Sequence, residues 1–300
     1  MILVTGATGK TGAETVRLLQ QRGSAVRALV RDRTKAEAML GSGVDLAVGD
    51  LDQPETLTPA LRGVEKLFLC SSPDARMADL QHNALVAARE AGVRHVVKIS
   101  AIGVSPGSKF SLGRQHARTE REMKDSGMAW TILQPTFFMQ NFLGHAGSIA
   151  AEGKMYAPAA DGRAALVDAR DIAEVAAAAL AESGHESRTY VVTGSDSLSH
   201  SEVAARIGAA IGKPVAYVQV PADAAKQAMM QGGMPEWYAD DMVVLMEIFG
   251  SGVVARTTEV VPRVAKRPAR TFDAFAREFS GRFAGAASGH ATARTLPPQR

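Results

Sequence analysis

Short apolar runs alternate with amphipathic stretches through the first half of the chain. The runs LFLC and HVVKIS are apolar at nearly every position, which is typical of strands that are covered on both faces. The stretches between the runs have helical spacing, and three of them stop directly before Gly23, Gly92 or Gly127. The pattern predicts strands over residues 2–5, 25–30, 44–48, 66–70, 95–100 and 129–133, and helices over residues 11–22, 35–40, 54–61, 75–91 and 115–126.

This alternation predicts a parallel, doubly wound α/β sheet, because right-handed crossovers place helices on both of its faces. After residue 135 the rhythm is less regular, with predicted strands over residues 154–157, 164–167 and 189–193 and predicted helices over residues 169–181, 199–211, 222–231, 236–249 and 271–279. We expect three regions: a Rossmann domain over residues 1–150, a smaller and mainly helical substrate-side portion over residues 151–280 that also completes the sheet, and a disordered tail over residues 281–300.

The sequence TGATGKTG (residues 5–12) lies between the first predicted strand and the first predicted helix. Gly6 permits a tight turn, Gly9 lets the backbone approach a diphosphate, and Gly12 lets the helix pack closely on the strand. Glycine turns also follow strands for purely structural reasons, but this strand–turn–helix context favours dinucleotide binding at the helix N-terminus. The predicted cofactor-binding residues of the loop are Gly6, Ala7, Thr8, Gly9, Lys10, Thr11 and Gly12.

The end of the second predicted strand distinguishes between the two nicotinamide dinucleotides. An acidic residue there binds the ribose 2′-hydroxyl of NAD, whereas an arginine accommodates the 2′-phosphate of NADP. The segment ALVRD places Arg31 at this end, which favours NADP(H); the alternative is a surface arginine paired with a neighbouring acid. Residues at the ends of the next strands complete the predicted cofactor site: Asp50, Leu51, Ser71, Ser72, Ser100 and Ala101.

Composition narrows the class of protein further. The single cysteine, Cys70, excludes an internal disulfide, and the scattered histidines lack metal-ligand spacing, so we expect no metal site. The net charge of +3 arises in residues 256–300, which lack any nucleic-acid-binding motif. No apolar run is long enough to span a membrane, and the strand-like start leaves no room for a targeting segment. We expect a cytoplasmic protein that binds neither nucleic acid nor a membrane.

Six motifs carry a resemblance to a known family: GATGKTG, ALVRD, DLDQPETLTPALRGVEKLFL, HARTEREMKDSGMAWTILQPTFFMQNF, VDARDIAEVAAAAL and GSDSLSHSEVAARIG. From residue 1 to about residue 280, the chain resembles the NmrA-like group of atypical short-chain dehydrogenase/reductases. That group includes NADPH-dependent quinone reductases, triphenylmethane reductases and NADP-sensing regulators. The chain departs from the group at Gln134, where arginine is usual, and in VAKRPART, which lacks a common glycine. The resemblance implies that Asn141 helps to hold a loop whose residues lie beside the nicotinamide ring: Pro135, Thr136, Phe137 and Phe138.

His116 is the candidate catalytic residue. Typical short-chain dehydrogenases carry a Tyr-x-x-x-Lys pair, often with a glutamate four residues after the lysine. Alignment on Glu120 places His116 at the lysine position and Leu112 at the tyrosine position, so the phenolic acid is missing. Three roles for His116 remain open: a contact to the ribose or the substrate, proton delivery, and a helix contact with Glu120 that has no part in catalysis.

The missing tyrosine constrains the acceptor. Reduction of an ordinary ketone generates an alkoxide and needs a positioned proton donor. A quinone, an azo group or a stabilised carbocation spreads the charge, so proximity and orientation achieve much of the reduction. The predicted substrate pocket comprises Phe138, Asn141, Phe142, Met234 and Trp237, and its apolar members suit a core position equally well.

The sequence therefore predicts an oxidoreductase that transfers hydride from NADPH to a quinone-like or other planar conjugated acceptor. The alternative is a non-enzymatic redox sensor of the NmrA type, which binds NADP(H) and contacts another protein. A reductase of a biosynthetic imine or enone is a third hypothesis. The expected partner is a small planar or aromatic substrate, and the sequence leaves open whether the chain forms a homodimer.

Overall fold

Seven parallel strands form the central sheet of the protein, of which the computed structural model describes residues 1–285. In chain order the strands are β1 (Ile2–Val4), β2 (Val26–Val30), β3 (Asp45–Val48), β4 (Lys66–Leu69), β5 (His95–Ile99), β6 (Ala129–Pro135), β7 (Phe137–Phe138), β8 (Lys154–Ala157), β9 (Ala164–Val167), β10 (Arg188–Val192), β11 (Ser197–Leu198) and β12 (Ala216–Gln219). The central sheet has the order β10-β6-β5-β4-β1-β2-β3, with every neighbouring pair parallel. The predicted doubly wound α/β fold is confirmed.

Helices cover both faces of the central sheet. They are α1 (Lys10–Gln21), α2 (Arg33–Leu40), α3 (Leu57–Ala60), α4 (Met77–Glu90), α5 (Ser111–Asp125), α6 (Ala146–Glu152), α7 (Ala169–Ala181), α8 (His200–Ile211), α9 (Ala222–Gln231), α10 (Glu236–Ser251), α11 (Val260–Ala265), α12 (Phe272–Glu278) and α13 (Ser280–Phe283). Helices α1, α2, α7 and α11 share one apolar core, and α3, α4 and α5 share the other. Successive strand residues point to opposite faces, so Phe68 joins the first core while Leu67 and Leu69 join the second. This explains the continuous apolar runs.

A smaller, mixed portion follows β6. Strands β11, β9 and β7 form a three-stranded sheet, and β12 pairs with β8. Helices α6, α8, α10, α12 and α13 contribute to a third apolar core, which is rich in aromatic side chains. Its buried phenylalanines are Phe142, Phe249, Phe272, Phe275 and Phe283.

Among the predicted boundaries that differ from the structure, three concern the site or the tail. The helix expected over residues 115–126 begins four residues earlier, at Ser111. The strand expected over residues 129–133 continues to Pro135, because it pairs with β10 along its whole later half. The tail expected from residue 281 begins too early, because α13 is helical and Phe283 is fully buried. The rest of the predicted tail, residues 286–300, lies outside the described residues.

Several short elements do not emerge from the sequence pattern. Strands β7 and β11 have two residues each, and β12 has four. Residues Met139–His145 form a 3-10 helix that leads into α6. Segments of this length contain too few positions to show a period of two or of 3.6 residues. They form because the surrounding chain packs around them.

Residues 1–285 lack two kinds of feature. None of their helices is both long enough and apolar enough to cross a membrane. They also bring together no group of three or more His, Cys, Asp or Glu side chains that could hold a metal ion.

Candidate active site

The strand order reverses beside β1, and this reversal creates a crevice at the carboxyl edge of the sheet. Strands β2 and β3 lie on one side of β1, and β4, β5, β6 and β10 lie on the other. Ligands of open α/β sheets bind outside the carboxyl ends of the strands at such a switch point. The loops after β1, β4, β5 and β6 start at this edge, and they carry most of the predicted site residues.

Close contacts between backbone atoms fix the glycine turn after β1. Gly6 has a φ of +59°, and a Cβ there would lie 2.7 Å from the carbonyl oxygen of Cys70. A Cβ on Gly12 would lie 2.1 Å from the carbonyl oxygen of Gly6. Beneath the turn, Thr5 Oγ1 donates to Cys70 O at 2.7 Å, which ties β1 to β4. Glycine alone fits at positions 6 and 12 unless the backbone moves.

The N-terminus of α1 has the features of an anion-binding site. Gly9 is its N-cap, no side chain caps it, and no acidic residue lies in its first turn. Asp32 and Asp168, by contrast, cap α2 and α7 with their carboxylates. Free N–H groups and the positive end of a helix dipole attract phosphate, so this cradle fits a dinucleotide diphosphate. Of the other predicted loop residues, the exposed ones are Thr8 and Lys10, and the buried ones are Ala7 and Thr11.

Arg31 lies exposed at the end of β2, where the 2′-phosphate of NADP would bind. The carboxylate of the adjacent Asp32 caps α2, where it accepts a hydrogen bond from the backbone N–H of Lys35 at 3.0 Å. Within residues 1–285, Arg31 forms no salt bridge with a neighbouring acid, which is the pairing that the sequence left open.

Asp50 and Leu51 lie half-buried in the loop after β3. The N–H of Asp50 donates to Thr56 Oγ1 at 3.0 Å, and the carbonyl of Leu51 accepts from Asn83 Nδ2 at 2.8 Å. These bonds fix the loop from both sides. It can therefore form a preordered wall beside the crevice.

Ser71 and Ser72 follow β4 at the opposite side of β1. Ser72 is exposed, and Ser71 Oγ accepts from Gln81 Nε2 of α4 at 2.8 Å. Gln81 is 1% exposed, and its Oε1 has no hydrogen-bond partner among the described residues. Buried amide oxygens are rarely left without a partner. This acceptor beside Ser71 therefore also fits a site that holds a polar ligand.

His116 is hydrogen-bonded to a lysine that the sequence analysis did not select. Lys98 lies in β5, is fully buried, and places its Nζ 2.9 Å from His116 Nδ1. The same Nζ donates to the carbonyl oxygen of Ile99 at 2.8 Å. His116 itself keeps partial exposure. Lys98 thus holds the imidazole of His116 at its Nδ1 atom, near the carboxyl end of β5.

Glu120, one turn after His116, makes other contacts. Its Oε1 accepts from Ser100 Oγ at 2.5 Å and from Gln134 Nε2 at 2.9 Å. The helix contact between His116 and Glu120 that the sequence left open is therefore not the contact that forms. Gln134, where the family usually has arginine, helps to hold this carboxylate. Ser100 is buried at the end of β5, and Ala101 beside it is half-buried.

Burial sets the ionisation of this cluster. It lowers the pKa of Lys98 to about 7, and the negative charge of Glu120 opposes that shift only in part. Burial, followed by the positive charge of Lys98, lowers the pKa of His116 well below its usual range, so the imidazole is neutral at pH 7. Burial also raises the pKa of Cys70 to about 11, which keeps its thiol protonated and unreactive.

Leu112 occupies an apolar environment. It is 8% exposed and packs in a cluster with Met77 and Phe110, against which Trp237 and Tyr238 of α10 also lie. The position that the alignment on Glu120 equates with the phenolic acid of typical short-chain dehydrogenases holds a buried aliphatic side chain. Leu112 can supply no proton to a reacting group. Met234, a predicted pocket residue that precedes α10, is half-buried.

The loop after β6 is held by Gln140. Its Nε2 donates to Asp168 Oδ1 at 3.0 Å, and its Oε1 accepts from the N–H of Ala169 at 3.0 Å. Thr136 anchors the start of the loop, where its N–H donates to Val192 O at 3.1 Å. Asn141, to which the resemblance assigned this holding role, is exposed. The hydrogen bonds that hold the loop here come from Gln140, and the role of Asn141 stays a prediction.

The aromatic residues of this loop differ in exposure. Phe137 and Phe138 are half-buried, and the Phe137 ring meets Phe249 edge to face at 4.8 Å between centroids. Phe142 is 5% exposed, and its ring packs edge to face on Phe272 at 5.6 Å. Phe142 therefore supports the loop from the core. Of the three phenylalanines, Phe137 and Phe138 retain surface for a flat ligand.

Asp241 joins the substrate-side portion to the helix that carries His116. Its two carboxylate oxygens accept from the N–H groups of Ser111 at 2.6 Å and Leu112 at 2.8 Å. Asp241 lies in α10 and is 4% exposed. The N-terminus of α5 is thus capped by a side chain that lies 130 residues away in sequence, and the cap fixes α10 against α5.

The sequence alone did not single out Lys98, Gln81, Gln140 or Asp241 as site residues. For Lys98 a signal existed, because a charged residue in a strand that is covered on both faces must find a partner. The other three are ordinary polar residues on a helix or a loop. Their importance depends on contacts between distant segments, which one sequence does not reveal.

Comparisons with known proteins agree with this geometry. The model of the NmrA-like family matches residues 1–276. The NAD(P)H azoreductase of Xenophilus azovorans is 44% identical over 286 residues, which cover 95% of this chain and 100% of that protein.

Two solved structures have the same fold. The NADPH-dependent quinone oxidoreductase of Escherichia coli, complexed with NADPH, is 28% identical and has a TM-score of 0.85 over 93% of this chain and 99% of that one. The triphenylmethane reductase of Citrobacter sp., complexed with NADP(H), is 26% identical and has a TM-score of 0.83 over 93% of this chain and 100% of that one. The resemblance predicted from the motifs is therefore confirmed, and the chain belongs to the NmrA-like family.

Proposed function

We propose that this protein is an NADPH-dependent reductase that transfers hydride to a planar conjugated acceptor, such as a quinone or an azo dye. The observation that carries the proposal is the combination of a dinucleotide cradle with buried Leu112 at the position of the usual phenolic acid. The relatives named an azoreductase and a quinone oxidoreductase support the same chemistry. They favour a reductase over a redox sensor.

The dinucleotide supplies hydride when it is bound, and the chain's residues hold and orient it. We assign the diphosphate to the N–H groups of residues 6–12 and the 2′-phosphate to Arg31. Asp50 and Leu51 would flank the adenine. The residues assigned to the nicotinamide side are Ser71, Ser72, Ser100, Ala101, His116, Pro135, Thr136, Phe137 and Phe138.

The acceptor class follows from the groups around the nicotinamide side. Leu112 cannot donate a proton, and the pKa of His116 lies well below its usual range, so neither a phenol nor an imidazolium faces a developing alkoxide. A conjugated acceptor spreads the charge and needs mainly proximity and orientation. The half-buried rings of Phe137, Phe138 and Trp237 offer flat apolar surface for such a molecule.

Anaerobic mixing with NADPH tests the proposed reaction. We expect the nicotinamide absorbance to fall when a quinone, an azo dye or a triphenylmethane dye is added, and to stay constant with a simple aliphatic ketone. Absorbance that stays constant with every planar acceptor, although calorimetry shows tight NADPH binding, would contradict the proposal and support the sensor.

Replacement of Arg31 by alanine is expected to weaken NADPH binding by at least about tenfold, because a charged hydrogen bond to phosphate is worth about 1.5 kcal/mol or more. NADH affinity should change by less than about twofold, since exposed side chains otherwise contribute little. Calorimetric Kd values for both dinucleotides measure this. Lys35→Ala, which removes an exposed positive charge from α2, is the matched control. Equal losses for NADPH and NADH would overturn the assignment of Arg31.

We also propose a cytoplasmic setting and action without nucleic acid. A chain with one cysteine in 300 residues suits a reducing compartment. Whether two copies associate as a homodimer is measured by light scattering during gel filtration.

A further inference from the structure

Lys98 has surroundings that ordinary strand lysines lack. Its side chain is fully buried, although a lysine in a covered strand normally reaches solvent with its ammonium group. Two polar atoms lie within hydrogen-bond distance of its Nζ: Ile99 O at 2.8 Å and His116 Nδ1 at 2.9 Å. The ammonium group therefore points to Nδ1 of His116, near the carboxyl edge of β5.

The hydrogen bond from Lys98 determines which imidazole nitrogen carries a proton. An ammonium group has donors only, so Nδ1 of His116 must accept. In a neutral imidazole the proton then lies on Nε2. His116 keeps partial exposure, and the structure gives Nε2 no partner among the described residues. His116 thus presents a donor on the side that Lys98 does not occupy.

We propose that Lys98 is a positioning residue that fixes His116 as the neutral Nε2–H tautomer and supplies the proton that the imidazole passes to the reduced acceptor. The inference rests on the proposed function for its last step only. The tautomer itself follows from contacts within the chain.

The proton transfer balances as follows. Bound NADPH would supply the hydride, after which a quinone or azo acceptor would carry an additional electron pair and a negative charge. The Nε2–H bond of His116 breaks, and that proton bonds to the acceptor. At the same time an N–H bond of Lys98 breaks, and its proton bonds to Nδ1. His116 ends as the other neutral tautomer, Lys98 ends as an amine, and a solvent proton restores both.

Three titratable groups face Lys98 from the elements packed around it. Cys70 approaches from the end of β4, and His116 and Glu120 approach from α5. The thiol stays protonated and the imidazole stays neutral, whereas Glu120 carries the charge that favours the ammonium form. Burial outweighs that charge and lowers the pKa of Lys98 to about 7. The donor is therefore present below this pH and is lost as the pH rises through it.

Nitrogen NMR of protein labelled with ¹⁵N-histidine tests the tautomer without any turnover. The His116 signals are assigned by their loss in His116→Gln. Below about pH 7 we expect a protonated Nε2 and a bare, hydrogen-bonded Nδ1 in the unaltered protein. Lys98→Met should mix the two tautomers, and Lys98→Arg should restore Nε2–H, because a guanidinium also donates. A proton found on Nδ1 in the unaltered protein overturns the proposal, whether or not any variant folds.

Kinetics test the relay with the acceptor that the mixing experiment identifies. Lys98→Met should lower kcat by about a hundredfold, at the weak end of the range for acid–base catalysis, and leave the KM of the acceptor unchanged. The decline in kcat as the pH rises through about 7 should disappear in this variant. Lys124→Met removes a lysine that lies at 4.0 Å from Glu120 and should change neither quantity.

The outcomes separate the two proposals. If no acceptor is reduced but the tautomer responds to Lys98→Met, the proposed function fails and the positioning role stands. If turnover occurs and Lys98→Met keeps both the kcat and the pH profile of the unaltered protein, the relay is refuted while the reductase stands. An unchanged thermal midpoint in Lys98→Met would show that the fold is intact, as expected when a methionine of similar volume replaces a buried charge.

Discussion

Gly12→Ala is expected to lower the affinity for NADPH by about a hundredfold, which corresponds to the upper part of the cost of about 1–3 kcal/mol for overpacking a closely packed site. The added Cβ would lie 2.1 Å from the carbonyl oxygen of Gly6, so either the turn or α1 must move. Both carry the N–H groups that we assign to the diphosphate. Calorimetric titration with NADPH measures the loss, and circular dichroism reports the thermal midpoint.

Gly147→Ala is the control for this change. Gly147 lies inside α6, and a Cβ there would meet nothing within 4 Å. The variant should bind NADPH normally and gain about 0.5–1 kcal/mol in the free energy of unfolding, because alanine is the better helix former. Unchanged NADPH affinity in Gly12→Ala would show that the turn does not hold the diphosphate.

Asp241→Ala is expected to lower the free energy of unfolding by about 2–3 kcal/mol. The carboxylate accepts from two N–H groups at the N-terminus of α5, and hydrogen bonds to charged groups are worth about 1.5–3 kcal/mol. The variant also frees α10 from α5. Urea unfolding measures the stability, and a rise in the KM of the acceptor would report the loosened contact between the helices.

Two further variants isolate the cap. Asp241→Asn keeps one acceptor oxygen, so its loss of stability should lie between those of the unaltered protein and Asp241→Ala. Asp240→Ala removes the exposed neighbour, whose carboxylate pairs with Lys226, and should change stability by no more than about 0.5 kcal/mol. If Asp240→Ala and Asp241→Ala destabilise the protein equally, the cap has no special importance.

The sequence was sufficient for the central sheet because its signals are local. Continuous apolar runs located the strands, and glycines marked the ends of α1, α4 and α5 within a residue or two. The glycine turn and Arg31 were found in the same way, since each is defined by its distance from one strand. The alternation of β and α elements then predicted a parallel sheet with right-handed crossovers.

The remaining features depend on contacts between distant segments. The true start of α5 is set by Asp241, which no local pattern connects to Ser111. One of the three roles left open for His116 paired it with Glu120 on its own helix, whereas its hydrogen-bond partner comes from β5. The third core gathers phenylalanines from the loop after β6, α10 and α12, and helical spacing cannot show which of them meet.

The bond from Asp241 to the start of α5 also limits how such a reductase can diversify. Helix α10 carries Trp237 and Tyr238, so changes in dye preference would be sought there by recombining segments among related enzymes. A grafted segment that lacks an acid at position 241 would remove the N-terminal cap of α5, the helix that carries His116. A change of α10 therefore affects both acceptor selectivity and the position of His116. A chimera must keep the carboxylate at position 241 when it exchanges the aromatic side chains.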